Sequence, residues 1–270
     1  MGGTELTREV TRLVAGMRLR GPYRPPHASE LEAVDALAAG LARGDGAAAA
    51  EAGALLGLAP TGIDGRLLLA SVSGAERAWL VIVLWDGVAP DAVVEVPHPN
   101  ADLDTEHVGL AVARRRHGVL YLQAGAHRGA GASAAACERA DFPADVAARD
   151  DTPFSRVAAA SAERGLPQIQ LHGFADRPDV DVVLSPGASS HGALLAAIRE
   201  RVAATGQRVG EGDDPRWSDL LGRRNAQGRA AARAGTAFVH LELSRSLRRD
   251  PDRRDAVADA IARALDDTSS

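Results

Sequence analysis

From residue 66 onward, short apolar runs alternate with stretches whose apolar residues recur at helical spacing, and this alternation constrains the fold more than any other feature of the sequence. Residues 67–72, 79–85, 92–96, 119–123, 168–171, 180–184 and 238–243 read as strands. Helices are expected over 106–116, 152–164, 192–204 and 251–265, with Asp104 placed to cap the first and Asp250 the last. Strands alternating with helices imply an α/β fold, with a largely parallel (mixed) central sheet flanked by helices on both faces.

The first 65 residues carry another pattern. Thr4 can cap a helix to about residue 17. Ser29 can cap one over 30–43, where Leu31, Val34, Leu37 and Leu41 share a helical spacing. Gly21-Pro22 and Pro25-Pro26 break the chain between them, and the alanine-rich stretch 47–56 reads as a third helix. The expected organisation is a helical N-terminal extension over 1–65 and an α/β domain over 66–270. Residues 206–235 are polar, Gly-rich and long for a connector, and such segments often cover a site.

Composition removes several chemistries. The chain has no lysine, so a P-loop lysine, a Schiff base to pyridoxal phosphate and a Ser-Lys pair are all excluded. Its one cysteine, Cys137, can form neither an internal disulfide nor a thiolate cluster, which leaves His, Asp and Glu as metal ligands. No apolar run approaches the roughly 20 residues of a membrane helix, and Glu5, Arg8 and Glu9 charge the N-terminus. A soluble, cytoplasmic protein without a membrane partner is expected. A net charge of −5 gives no reason to expect nucleic acid, and the short basic run 114–116 reads as a helix end.

Ligands of open α/β sheets bind beyond the carboxyl ends of the strands. The expected strand exits bring His98, His127 with Arg128, His172 and Glu242 to one such edge. A histidine leaving a strand, with a carboxylate a few residues later, suits two ligands of one metal; His172 supplies a third and leaves a position for water. A metal there brings the pKa of water to about 7 and polarises a scissile carbonyl. Glu242 is the candidate to carry the proton to the leaving amine. Asp102 is the preferred acidic ligand because it has no local structural task, whereas Asp104 reads better as a helix cap and Glu106 as a first-turn acid. His98 and His172 also fit as buried structural histidines, His27, His107 and His117 read as solvated, and His240 shares a strand face with Glu242.

With these residues in view, the sequence resembles the superfamily of zinc-dependent amidohydrolases and exopeptidases that includes N-formylglutamate amidohydrolase, poly-γ-glutamate hydrolase and, more distantly, zinc carboxypeptidases. The resemblance spans residues 94–248 and is carried by short motifs. Val96-Pro97-His98, followed by Asp102 and Thr105-Glu106, is similar to the family's Pro-His loop with its acidic second ligand. His172, in Gln170-Leu171-His172-Gly173, matches the later histidine ligand, and His240-Leu241-Glu242-Leu243-Ser244-Arg245 resembles the terminal strand whose glutamate is the proton shuttle. Ala124-Gly125-Ala126-His127-Arg128 is similar to the segment in which family members place an arginine that grips substrate.

The resemblance implies a phosphorylase/hydrolase-like fold and one Zn2+ per chain on His98, Asp102 and His172. It also implies Glu242 as the catalytic residue, with Arg128, Arg245 and His127 binding substrate. An arginine fork reads a carboxylate bidentately, although a salt bridge that holds a loop accounts for either arginine equally well. The spacing from His98 to an acid is not the tight one of zinc carboxypeptidases, and residues 1–65 have no counterpart in the family.

The function expected is therefore metal-dependent hydrolysis of amide or peptide bonds near a free carboxylate, N-formylglutamate amidohydrolase-like, on a small acidic amide or peptide. The alternative is a non-catalytic ligand-binding or scaffold protein that retains the fold. A serine hydrolase using Ser185, Ser189 or Ser190 with His191 ranks below both, because the segment 185–190 lacks the Gly-x-Ser-x-Gly elbow and reads as a turn before a helix.

Overall fold

The structure, a computed structural model, describes residues 4–133, 142–190, 192–212 and 214–268. Three helices lead the chain: α1 (Glu5–Ala15), α2 (Ala28–Ala42) and α3 (Gly46–Leu55). Thr4 starts α1 by accepting the Thr7 N–H at 3.3 Å, and Asp45 starts α3 by accepting that of Ala48 at 3.0 Å. α2 begins before the expected Ser29 cap: His27 occupies the N-cap position, and Glu30 reaches back to accept its N–H at 2.8 Å.

The remaining elements follow in order. Strands β1 (Leu58–Ile63), β2 (Arg66–Ser71), β3 (Leu80–Leu84) and β4 (Ala92–Val96) precede α4 (Thr105–Arg115) and β5 (Val119–Ala124). Next come α5 (Pro153–Glu163), β6 (Gln168–Phe174), β7 (Val182–Ser185), α6 (Ala193–Ala204) and β8 (Val209–Glu211). The chain closes with α7 (Ala226–Ala234), β9 (Phe238–Ser244), α8 (Arg245–Arg249) and α9 (Pro251–Thr268), the last capped as expected by Asp250, which accepts the Asp252 N–H at 3.0 Å.

Strand β1 is absent from the sequence reading, which gave residues 1–65 to helices alone. It pairs antiparallel with β2 along its whole length through the two-residue turn Asp64-Gly65, both residues at positive φ. Asp-Gly is a strong hairpin signal. It is masked because the four central residues of β1 are all exposed and show no alternation.

The sheet order is β1-β2-β3-β5-β4-β6-β9-β7-β8. Only the centre is continuously parallel, from β5 through β4 and β6 to β9. β1, β2 and β3 form an antiparallel wing, and β7 enters antiparallel to β9 with β8 parallel beside it. The chain leaves β4 through α4 to β5 on one side, then crosses back through α5 to β6 on the other. That reversal creates a crevice at the carboxyl ends of β4 and β6, the usual ligand position in such sheets.

Helices α1, α4, α6 and α9 cover one face, over Val94, Tyr121, Leu171 and Leu241; α2, α3 and α5 cover the other, over Leu69, Ile82, Val93 and Leu122. Among the described residues no helix is long and apolar enough to cross a membrane. The face toward α5 is not apolar throughout. Because strand side chains alternate, β4 turns Glu95 to it, β6 turns Gln168, Gln170 and His172, and β9 turns His240 and Glu242. Register aligns Glu95 with Gln170, Gln170 with His240 and His172 with Glu242.

Glu95 is fully buried; its Oε2 accepts from Gln170 Nε2 at 2.8 Å, while Oε1 has no partner among the described residues. Burial pushes its pKa up to about 8, against a smaller opposing pull from Gln170.

Two outcomes are expected. Leu241→Ala, at a fully buried position on β9, costs about 3 kcal/mol in urea unfolding. Between pH 4.5 and about 8 the unfolded chain releases the Glu95 proton and the folded chain keeps it, so stability falls as pH rises through that window. Glu95→Gln removes this term and gains up to about 4 kcal/mol over wild type at pH 8 relative to pH 4.5. An equal difference at both pH values would contradict a proton held on Glu95.

Candidate metal centre

Beyond β4 the chain turns through Pro97-His98-Pro99-Asn100, with Asn100 at φ 60° and its side-chain amide donating to the Met17 carbonyl at 3.0 Å. The N–H groups of Ala101 and Asp102 both donate to the His98 carbonyl, at 3.1 and 2.9 Å, and this turn folds Asp102 back onto the His98 ring. Asp102 Oδ2 lies 3.3 Å from His98 Nδ1 and 3.2 Å from His172 Nδ1. One ligand atom from each of the three residues falls within a 4.8 Å cluster. His172 stands inside β6, which runs to Phe174, rather than after it. The pleat brings it to the site.

The outer nitrogens are occupied. His98 Nε2 lies 2.8 Å from Asp145 Oδ1, and the other oxygen of Asp145 is held by Arg128 Nη2. His172 Nε2 lies 3.0 Å from Gln170 Oε1. Each histidine therefore has an oxygen against both ring nitrogens, and the two Nδ1 atoms both face the Asp102 carboxylate. Burial opposes charge on His98, but Asp102 and Asp145 outweigh it and raise its pKa. Burial holds His172 down to about 4, only partly countered by Asp102. Burial raises the Asp145 carboxyl, but His98 and Arg128 bring it down to about 2; Asp102 is drawn well below the ordinary range by the two histidines, again against burial. Two imidazole nitrogens and one carboxylate oxygen, each histidine braced on its far side, fit a first-row divalent metal.

A cleft of about 760 Å³ opens beside this cluster, lined by His98, His172, His240, Glu242, Asp145 and Arg128 on one side and by Gly222, Arg224, Asn225 and Arg229 on the other. The second wall comes from the segment 206–235, which is no plain connector. It holds β8, a 3-10 turn at Pro215–Leu220 and α7. Gly222 sits at φ +56°, and a Cβ there would lie 2.5 Å from His240 Nδ1, so glycine is what lets this wall close on the ring. Glu242 Oε1 lies 3.4 Å from His240 Nε2, and its Oε2 has no hydrogen-bond partner among the described residues.

Of the three competing acids, Asp102 reaches both histidines. Asp104 adopts φ 72° and does not cap α4 through its side chain; its carboxylate holds Arg245. Asp104 groups instead with His107 and Glu106, a buried acid whose pKa burial raises to about 7. Arg245 also donates to the Leu103 carbonyl at 3.1 Å, the arrangement of a loop-holding ion pair. His127 Nδ1 accepts the Gly129 N–H at 3.0 Å, and neither His127 nor Arg245 lines the cleft. Arg128 does, with one guanidinium edge on Asp145. The Ser185 and Ser189 hydroxyls donate to the Leu221 and Thr236 carbonyls, and His191 and Cys137 lie outside the described residues. Asp145, Asn225, Arg224 and Arg229 escaped the sequence reading. Asp145 has no local signal, because it stands on a loop that the topology alone carries to His98.

No family model matches the sequence, and no curated protein matches it. Among solved structures, the chain is similar to a bacteriophage poly-γ-glutamate hydrolase at 15% identity, over 67% of this chain and 85% of that one, with a TM-score of 0.48. It is similar to N-formylglutamate amidohydrolase from Ralstonia eutropha at 13% identity, over 71% and 99% of the two chains, with a TM-score of 0.49. Succinylglutamate desuccinylase from Vibrio parahaemolyticus follows at 9% identity, over 77% of each chain, with a TM-score of 0.44. At these values the similarity is one of chain course, and the chemistry of the site rests on its own side chains.

Proposed function

We propose that the protein is a zinc-dependent hydrolase of amide or peptide bonds near a free carboxylate, with His98, Asp102 and His172 holding the metal and Glu242 moving the proton. One observation carries this reading. The inner nitrogens of two buried histidines and a carboxylate oxygen converge within 4.8 Å, beside a cleft, while the outer nitrogens are committed elsewhere. Three protein ligands leave a position open toward substrate, as catalytic rather than structural zinc sites do. When bound, zinc supplies Lewis acidity toward the scissile carbonyl and toward water.

Glu242 lines the cleft beside the cluster, so its carboxylate is placed to accept a proton from the attacking water and return it to the leaving amine. An amine leaves poorly as an anion, and this proton delivery is the step that the metal ligands cannot perform. His240 Nε2 lies 3.4 Å from Glu242 Oε1. Arg128, with Nη2 on Asp145 and Nη1 3.5 Å from His98 Nδ1, and Arg224 and Arg229 bring positive charge to the cleft, which suits a substrate carboxylate. In this reading Arg245 and His127 hold their loops.

Plasma mass spectrometry of the purified protein is expected to find about one zinc per chain, lost in both His98→Ala and His172→Ala. Absence of metal after reconstitution with zinc would sink the hydrolase reading and leave a binding protein in its place. With N-acyl amino acids or short α- and γ-linked peptides as substrates, Glu242→Gln should retain zinc and lose about 100- to 10,000-fold in kcat. Undiminished turnover in that variant would refute the assigned shuttle.

A further inference from the structure

Among the described residues three arginines line the cleft, and they differ in what their guanidinium groups already hold. Arg128 has Nη2 on Asp145, the acid that reaches His98 Nε2, and Nη1 3.5 Å from His98 Nδ1. Arg229 turns Nη1 to the backbone carbonyl of Arg224. The Arg224 guanidinium has neither a hydrogen bond nor an ion pair among the described residues. The cleft acids Asp145 and Asp219 are also taken, the first by Arg128 and the second by Arg177, which donates at 3.0 Å.

An exposed arginine without a partner is ordinary on a protein surface; what sets Arg224 apart is its backbone. The Ser185 hydroxyl donates to the Leu221 carbonyl at 2.5 Å, and Gly222 packs against the His240 ring. The Asn225 N–H donates to the Gly222 carbonyl at 3.0 Å. Asn225 Nδ2 donates to Gln170 Oε1 at 2.6 Å, in the buried polar seam between β6 and α7. With Arg229 on its carbonyl as well, Arg224 has a fixed base and a free head, on the wall opposite the metal cluster.

We infer that Arg224 is the residue that reads the substrate carboxylate, as a bidentate clamp, and that Arg128 is a positioning residue acting on His98 through Asp145. To grip a carboxylate with both nitrogens, Arg128 would have to release Asp145; Arg224 releases only water. The clamp therefore lies in the segment 206–235 rather than at Arg128, where the sequence resemblance places it. The inference takes its substrate from the hydrolase reading and its residue from the cleft geometry.

Discrimination between an acid and its amide tests it. N-acetyl-L-alanine, N-acetyl-L-glutamine and acetyl-L-alanyl-L-alanine, each as the free acid and as the C-terminal carboxamide, are compared as substrates of the zinc-loaded full-length protein. Arg224→Ala should lose about 10- to 100-fold in kcat/KM for the free acids, most of it in KM, while keeping its zinc and its rate on the amides. Arg224→Lys keeps the charge without the fork and should recover part of that loss. Arg224 is exposed, so neither change disturbs the core. Arg128→Ala should slow acids and amides alike and leave their ratio unchanged.

Calorimetric binding of the same acids gives a readout independent of turnover. An Arg224→Ala protein with the wild-type preference for acid over amide overturns the inference, and so does loss of that preference in Arg128→Ala alone. A wild-type protein that neither hydrolyses nor binds any of the acids overturns it as well. The two readings fail separately. Acids bound by the wild type and not by Arg224→Ala, without turnover, leave the clamp standing and remove the hydrolase; zinc-dependent turnover with an acid preference indifferent to Arg224 does the reverse.

Discussion

Side chains on a strand point alternately to its two faces, and parallel neighbours in register place like-facing residues side by side. In β4, β6 and β9 this constraint lines up Glu95, Gln170 and His240 in one row and His172 and Glu242 in the next, all toward α5. A slip of one residue in β6 would turn His172 into the apolar layer under α4 and bring Leu171 to the cleft. The apolar residues of the opposite face, Ile169, Leu171, Val239 and Leu241, fix that register by their burial. The hydrophobic core and the polar site are thus opposite sides of the same three strands, and the core sets the geometry of the site.

A polar interior is stable only when its groups are satisfied. Here a line of hydrogen bonds runs from the Val146 carbonyl through Gln227 and Gln170 to His172, and a few buried side-chain atoms have no partner among the described residues. Two of those few are Glu95 Oε1, on an acid whose burial favours the neutral form, and Glu242 Oε2. The first is walled in at the floor of the seam; the second stands in the cleft wall, beside the cluster that its chemistry would serve. Both atoms are buried, and the two residues differ in that Glu242 lines the cleft and Glu95 does not.

The arginines show the same dependence on surroundings. Arg128 and Arg245 are chemically identical and both follow strands of the parallel centre. Arg245 is spent on Asp104 and the Leu103 carbonyl, which stiffens the turn into α4, whereas Arg128 braces Asp145 while still facing the cleft. The segment 206–235 closes the opposite wall because Gly222 permits a backbone approach that no side chain would allow.

The α/β alternation, the parallel centre and the candidacy of His98, Asp102, His172 and Glu242 are legible in the sequence, because strand and helix periodicities and strand-exit residues are local properties of the chain. Strand β1 was hidden, since an exposed edge strand containing Pro60 needs no apolar alternation; only its Asp-Gly turn marks it. What brings Asp102, and neither Asp104 nor Glu106, against both histidines is the turn that folds its carboxylate back between two rings, a matter of backbone path. Asp145, Gln227 and Asn225 belong to the site only because α5 crosses back over β4 and α7 packs beside it, which brings together residues up to 81 positions apart. Local pattern determined which residues are suited to the chemistry. The tertiary structure decided which of them meet, because hydrogen-bond direction and distance depend on the packing of elements far apart in the chain.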